Sequence, residues 1–236
     1  MKEIKEVFKK NEIEINQTQI KMFDTFYQLL IEWNKKINLT TITNYEEVIQ
    51  KHFLDSCLLL KKCPKQIFQY KKIIDVGTGA GFPGIPLAVL LPDSQFTLVD
   101  SLNKRIEFLS IVINELDLVN VQIFHGRAEE FGKDKTFREQ YDFCVSRAVA
   151  SLPLLLEYCS PFVKVNGSLL LYKSKKINQE IEDAANALNV LNCQIIECIE
   201  VLNKQDLQRY ILEIEKRGCT PEKYPRRAGK PKKYPL

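Results

Sequence analysis

The stretch Ile73-Ile74-Asp75-Val76-Gly77-Thr78-Gly79-Ala80-Gly81-Phe82-Pro83-Gly84 places four glycines within eight residues, directly after a short apolar run. Gly79, Gly81 and Gly84 fit the G-x-G-x-x-G spacing of a dinucleotide loop. Gly77, Gly79 and Gly81 fit the G-x-G-x-G loop of enzymes that use S-adenosylmethionine (AdoMet). Both readings share one physical basis: glycines let the chain turn sharply after a strand, and they let a ligand approach the backbone beside a helix N-terminus. Pro83 and Pro86 suit the first turn of that helix, where a missing N–H costs little.

Outward from the loop, residues 71–173 alternate apolar runs with amphipathic ones. The pattern predicts strands at 72–76, 95–99, 121–124, 141–146 and 168–173, and a helix over 103–118 with Ile106, Leu109, Ile113 and Leu116 on one face. Such alternation implies a parallel sheet covered by helices. A polar helix near 178–190 follows. The runs CQIIECIEV and RYILEIEK stand too close together for a helical crossover and are expected to pair antiparallel. Five parallel strands closed by an antiparallel pair are the order of class I AdoMet-dependent methyltransferases, a Rossmann-like α/β fold with a mostly parallel seven-stranded sheet. Ahead of it, Phe23, Phe26, Tyr27, Leu30, Trp33 and Ile37, then Ile49, Phe53, Cys57 and Leu60, recur at helical steps. The expected organisation is a helical extension over 1–64, an AdoMet-binding domain over 65–216 and a basic tail over 217–236.

The spacing to Asp100, at the end of the second strand, suits ribose hydroxyls in either cofactor. Asp75 separates the two readings. A carboxylate two residues before the first glycine suits a cationic ligand with an ammonium and a sulfonium, and suits a pyrophosphate poorly. The expected cofactor is AdoMet. After the third strand, Ala128 and Glu129 could line an adenine pocket; Glu129 and Glu130 could equally serve only to start a short helix.

Bulk properties narrow the class. The chain has 236 residues, 45% hydrophobic and 27% charged, as in ordinary globular proteins. No apolar run approaches the roughly 20 residues that span a bilayer, and the N-terminus lacks the apolar core of a signal peptide. Seven scattered cysteines without C-x-x-C, and two histidines, exclude a disulfide framework and a zinc site, so a cytoplasmic, metal-free protein is expected. The net charge is +4, yet residues 216–236 hold eight Lys/Arg against one Glu, so the rest of the chain is about −3. That tail, rich in Pro and Tyr, reads as an extended arm, either merely solvated or contacting a polyanion.

Other chemistries are tested by absence. Cys144 lies between Phe143 and Val145 inside a strand and reads as core, not as the nucleophile of a cytosine-C5 methyltransferase. The N/D-P-P-Y/F loop of amine methylation is replaced by Ser146-Arg147. Arg147 there could bind the AdoMet carboxylate, a phosphate, or a guanine acceptor edge, or could pair with an acid. His52 and His125 lack supporting ligand patterns and read as structural.

Together, EWNKKINLT (32–40), HFLDS (52–56), DVGTGAGFPGIPLA (75–88), VDSLNKR (99–105), GRAEE (126–130), SRAVA (146–150) and the closing YPRRAGKPKKYPL resemble the guanine-N7 methyltransferases of bacterial small-subunit (16S) ribosomal RNA, the glucose-inhibited division protein B family. The resemblance runs through nearly the whole chain. It implies methylation of one guanine at N7 in the small subunit, with 16S rRNA as partner. It also implies an AdoMet site using Gly77, Phe82, Ala128, Glu129 and Arg147; the residue reading adds Asp75, Gly79 and Asp100. No acid-base catalyst is expected, with Arg147 positioning only. A small-molecule methyltransferase, or an RNA-binding module without catalysis, would share this fold. The sequence does not set the oligomeric state, and a monomer is the default expectation.

Overall fold

The computed structural model describes residues 2–147, 150–175, 177–202 and 208–236. Helix α1 (Lys2–Lys10) and helix α2 (Gln17–Asn34) open the chain. Asn16 caps α2: its side-chain oxygen accepts from the Gln19 N–H, while the Gln19 side chain accepts from the Asn16 N–H. This satisfies two backbone donors that a helix start leaves without partners. Helix α3 (Tyr45–Val48) continues through a π-helical turn (Ile49–Leu54), α4 (Asp55–Cys57) and a 3-10 turn (Leu58–Lys61). A further 3-10 turn at Lys65–Phe68 leads to the sheet. Phe23, Phe26 and Leu30 of α2 and Ile49, Phe53 and Cys57 are fully buried, while Tyr27, Trp33 and Leu60 are partly covered. The aromatic stripe is core, as its spacing predicts. It packs on Phe82 and Phe108 of the following domain, so the extension and the sheet share one hydrophobic core.

The sheet is built from β1 (Lys72–Val76), β2 (Gln95–Asp100), β3 (Val121–His125), β4 (Tyr141–Arg147), β5 (Val163–Lys173), β6 (Cys193–Leu202) and β7 (Gln208–Lys216). Between them run α5 (Gly84–Leu90), α6 (Asn103–Glu115), α7 (Ala128–Phe131), α8 (Leu152–Cys159), α9 (Ile177–Asp183) and α10 (Ala185–Val190). Among the described residues the order is β3-β2-β1-β4-β5-β7-β6, with β1 to β5 parallel and β7 antiparallel to both its neighbours. This is the expected mostly parallel seven-stranded sheet with an antiparallel final pair. The β6–β7 connection, 203–207, lies outside the described residues. Residues 73–76 of β1 are buried on both faces, which is why the strand reads as a continuous apolar run rather than an alternation.

Three local expectations differ. Strand β5 starts at Val163, five residues before the expected 168, and Val163 pairs with Tyr141 across an irregularity in register. Asn166 at φ 67 and Gly167 interrupt the apolar pattern there and hide the strand's start. Helix α6 ends at Glu115 and buries Phe108, Leu109 and Val112, with Ile106 and Ile113 at the margins. The face is rotated because Phe108 reaches α2.

The tail is the third difference. It is a folded strap rather than an extended arm, and it ends in helix α11 (Lys230–Lys233). Arg226 forks onto Glu157, with Nε–Oε1 at 2.9 Å and Nη2–Oε2 at 2.6 Å. Arg138 donates to the carbonyls of Gly132, Thr220 and Tyr224. Tyr224 and Pro231 are buried. Charge and proline content indicated exposure, but Glu157 in the apolar helix LPLLLEYC needs a cation, and the tail supplies it.

Candidate active site

The strands' carboxyl ends meet at the glycine loop. Gly77 (φ 72), Gly79 (φ 62) and Gly81 (φ 94) all adopt the left-handed backbone that glycine alone tolerates readily. The N–H groups of Gly77 and Thr78 donate to the Val99 carbonyl, tying the loop to β2. A side chain at Gly79 would meet nothing within 4 Å. The loop therefore faces open space at that residue.

Beside it lies a cavity of about 320 Å³ lined by Gly77, Asp100, Ala128, Glu129, Tyr158 and Lys232, among others. Its size and its place at the carboxyl edge of a parallel sheet suit a small-molecule site. A larger cavity, about 990 Å³, lies at the opposite edge, where Leu90–Ser94 meets the α1–α2 connection, away from every residue named for the site.

Asp100 closes the loop from β2. Its Oδ2 accepts from the Gly79 N–H at 2.9 Å and from Arg105 at 3.2 Å, and its Oδ1 accepts from the Leu102 N–H at 2.9 Å. Arg105 also reaches Oδ1, at 3.5 Å, so the roughly four acceptor positions of the carboxylate are all engaged, the Arg105 contacts being the longest. Glu129, 6% exposed, accepts from Tyr158 and from the Gly229 N–H at 3.4 Å. Burial and this carboxylate push the Tyr158 phenol up to about 12.

Asp75 stands behind the loop, fully buried, and does not line the cavity. Its Oδ2 accepts from the Thr78 hydroxyl at 2.7 Å and the Gly84 N–H at 2.8 Å; its Oδ1 has no partner among the described residues. Burial lifts its pKa to about 7, against the lowering effect of those two hydrogen bonds. Its direct geometric role is to set the loop's shape.

Phe82 and Arg147 form a second cluster. The Arg147 guanidinium lies over the Phe82 ring at 5.0 Å from its centroid, and the His52 imidazole stacks on the same ring at 4.7 Å. Arg147 donates through Nη1 to Asp55 Oδ2 at 2.9 Å. His52 is neutral: burial first, then the Arg147 charge, bring its pKa down to about 4. Cys144 is buried in β4, and Ser146 donates to the Val76 carbonyl. His125 lies at the rim, within 3.2 Å of the Ser101 carbonyl.

The fold brings the residues named from sequence together in two groups: Gly77, Asp100, Ala128 and Glu129 line the cavity, with Gly79 bonded to Asp100 behind them, and Phe82 and Arg147 form the cluster. Sequence reading missed Tyr158, Lys232, Asp55 and Arg209. A signal for Asp55 was present: one acid inside HFLDSCLLL, a run otherwise too apolar to leave a charge without a partner.

Sheet order, glycine loop and cavity together define the class: AdoMet-dependent methyltransferases of Rossmann-like fold. Solved structures show the same fold, among them a SAM-dependent methyltransferase from Aquifex aeolicus (TM-score 0.55, 18% identity, covering 79% of this chain and 98% of that one). M. jannaschii TYW2 in complex with AdoMet is similar at TM-score 0.54 and 15% identity, covering 75% and 79%. Within that class the chain belongs to the rRNA small subunit methyltransferase G (GidB) family, whose model matches residues 19–210. Relatives named ribosomal RNA small subunit methyltransferase G include those of Alkaliphilus metalliredigens (strain QYMF), 49% identical over 94% of this chain and 92% of that protein, and Alkaliphilus oremlandii (strain OhILAs), 47% identical over 99% of both.

Proposed function

We propose that the protein transfers the methyl group of AdoMet to N7 of one guanine in the 16S rRNA of the small ribosomal subunit, in the cytoplasm. The observation that carries this reading is the family match over residues 19–210, on a chain whose glycine loop, Asp100 and Glu129 surround one cavity.

The residues present fit AdoMet. The open side of Gly79 would admit a ligand against the backbone, Asp100 would accept from a ribose hydroxyl in place of its long Arg105 contacts, and Ala128 with Glu129 would meet the adenine. Phe82 and Arg147 would hold the methionyl end, the guanidinium supplying a cation for its carboxylate. Bound AdoMet supplies a methyl group on a sulfonium; the N7 lone pair forms the new C–N bond, the C–S pair returns to sulfur, and the positive charge passes to the purine.

Guanine N7 carries no proton, so no general base is required. The protein's work is to hold the nucleophile in line at about 3 Å, which supplies a large share of the rate.

For the RNA, a second cleft of about 540 Å³ adjoins the cavity through Arg127 and Glu129. Alongside Glu129 and Glu130, its cations are Arg127, Lys133 and Arg227, three exposed side chains from two segments. None of them forms an ion pair among the described residues, unlike Arg226 and Arg217. Such cations suit phosphates of a polyanion. No helix of the described residues is long and apolar enough to cross a membrane.

The test is methyl transfer from labelled AdoMet to small subunits taken from cells lacking this protein, set against a panel of small-molecule acceptors. Label in the RNA fraction alone supports the reading; turnover of a small molecule with unlabelled subunits overturns it.

A further inference from the structure

Asp55, on the helical extension, is 1% exposed and receives two arginines. Arg209, from β7, takes it as a fork, Nε to Oδ1 at 2.7 Å and Nη2 to Oδ2 at 2.9 Å. Arg147, from β4, adds Nη1 to Oδ2 at 2.9 Å. Arg147 and Arg209 lie 92 and 154 positions from Asp55 in sequence, and the three residues come from three elements.

The donors on Arg147 are divided unequally. Nη1 is saturated: besides Asp55 it reaches the Lys51 carbonyl at 3.2 Å and the His52 carbonyl and Ser56 hydroxyl at 3.5 Å. Nη2 has only His52 Nδ1, at 3.4 Å, and Nε has no partner among the described residues. A guanidinium has five N–H donors in a fixed plane, and its Nε–Nη2 edge is the one that grips a carboxylate or phosphate bidentately. Because the group is planar, fixing Nη1 and laying the face on Phe82 fixes the direction of that remaining edge.

The charges support the same reading. Two arginines share one carboxylate, so the triad keeps one net positive charge although its side chains are only 11%, 17% and 1% exposed. Uncompensated charge at such depth is costly unless an anion joins it. His52 does not add to it, since burial and the Arg147 charge keep its ring neutral, with Nδ1 3.2 Å from the Lys51 carbonyl and Nε2 2.8 Å from Thr40 Oγ1.

We propose that Asp55 is a positioning residue for methyl transfer: it clamps Arg147 at Nη1 so that the Nε–Nη2 edge is presented to an oxyanion of the bound reactants. The helical extension is thereby part of the catalytic apparatus and not only a cover for the core. This inference rests on the proposed role of Arg147.

The test is a double-mutant cycle of Asp55→Asn and Arg147→Ala, reading labelled methyl transfer to small subunits and AdoMet affinity by calorimetry. Each single variant should lose about 100-fold in transfer. In the Arg147→Ala background Asp55→Asn should then change transfer by less than about threefold, because the group it positions is gone. Multiplying losses would overturn the inference while leaving Arg147 in its role. Full activity of Arg147→Ala would instead overturn the role of Arg147, and the inference with it. Where Asp55→Asn does not fold, Asp55→Asn/Arg209→Met keeps the net charge of the cluster at its native +1. A folded double variant with native transfer rates would contradict the clamp; one with the full loss supports it.

Discussion

The backbone N–H of Gly229 lies 3.4 Å from Oε1 of Glu129, a residue one hundred positions earlier. Through this contact and Lys232, the basic tail forms a wall of the cavity that the glycine loop opens onto. The segment expected to be an extended arm, solvated or contacting a polyanion, thus shapes the cavity.

Removing the tail therefore does more than remove charge. Glu157 is fully buried, and Arg226 is its fork-shaped partner. Arg226→Ala should destabilise the protein by about 3–5 kcal/mol, the cost of leaving a buried charge without its partner. Urea unfolding checks it; a loss under about 1 kcal/mol would show the pair to be dispensable.

Exposed cations should behave differently. Arg227→Ala, Lys230→Ala and Lys233→Ala touch no buried partner, so the melting temperature should stay within about 2 °C. Methylation of small subunits should weaken, and its dependence on log salt should become shallower by roughly one unit per phosphate contact removed. An unchanged slope in the triple variant would place RNA elsewhere.

Gly79 separates ligand binding from folding. At φ 62 an alanine costs about 1–2 kcal/mol of backbone strain, and its methyl group meets no protein atom within 4 Å. Gly79→Ala should stay folded at 25 °C yet bind AdoMet at least about tenfold more weakly, measured by calorimetry. Native affinity would mean that the open side of Gly79 is not where the cofactor lies.

Two buried groups give stability opposite pH dependences. His52 has a folded pKa of about 4, below the 6.5 of an unperturbed imidazole, so the unfolded chain binds more protons between those values. Its contribution to stability rises with pH across that window and is lost as pH falls through it. Asp75 has a folded pKa of about 7, above its ordinary 3.8, so its contribution declines as pH rises from 4 to 7. The two largely cancel in the native protein. His52→Gln removes one side alone: native stability minus variant stability should grow by up to about 3 kcal/mol from pH 4 to 6.5. Urea unfolding at pH 4.5 and 6.5 measures it, and a flat difference would contradict a neutral His52.

Short apolar runs alternating with period-3.6 patterns made the sheet, its closing antiparallel pair and the aromatic helices legible, because a strand buried on both faces is apolar throughout and a helix is apolar on one face. The glycine loop was legible for a similar reason: its positive-φ positions fall on residues that readily adopt them. What stayed hidden depends on pairing across the chain. Asp55 reads as an acid in an apolar run, but nothing local points to Arg147 or Arg209. Arg226 reads as one tail cation among several, and only the folded chain shows it consumed by Glu157. Asp75 favoured a cationic ligand by charge, whereas the structure gives it the shape of the loop to hold, with a pKa near neutrality.

The central claim is transfer to a guanine N7. Small subunits labelled by the purified protein would be treated to cleave the RNA at 7-methylguanosine, and the fragments mapped. Methylation of one guanine N7 gives stoichiometric label and a single cleavage at one guanine of 16S rRNA. Label that resists this cleavage, or that spreads over several bases, would contradict it.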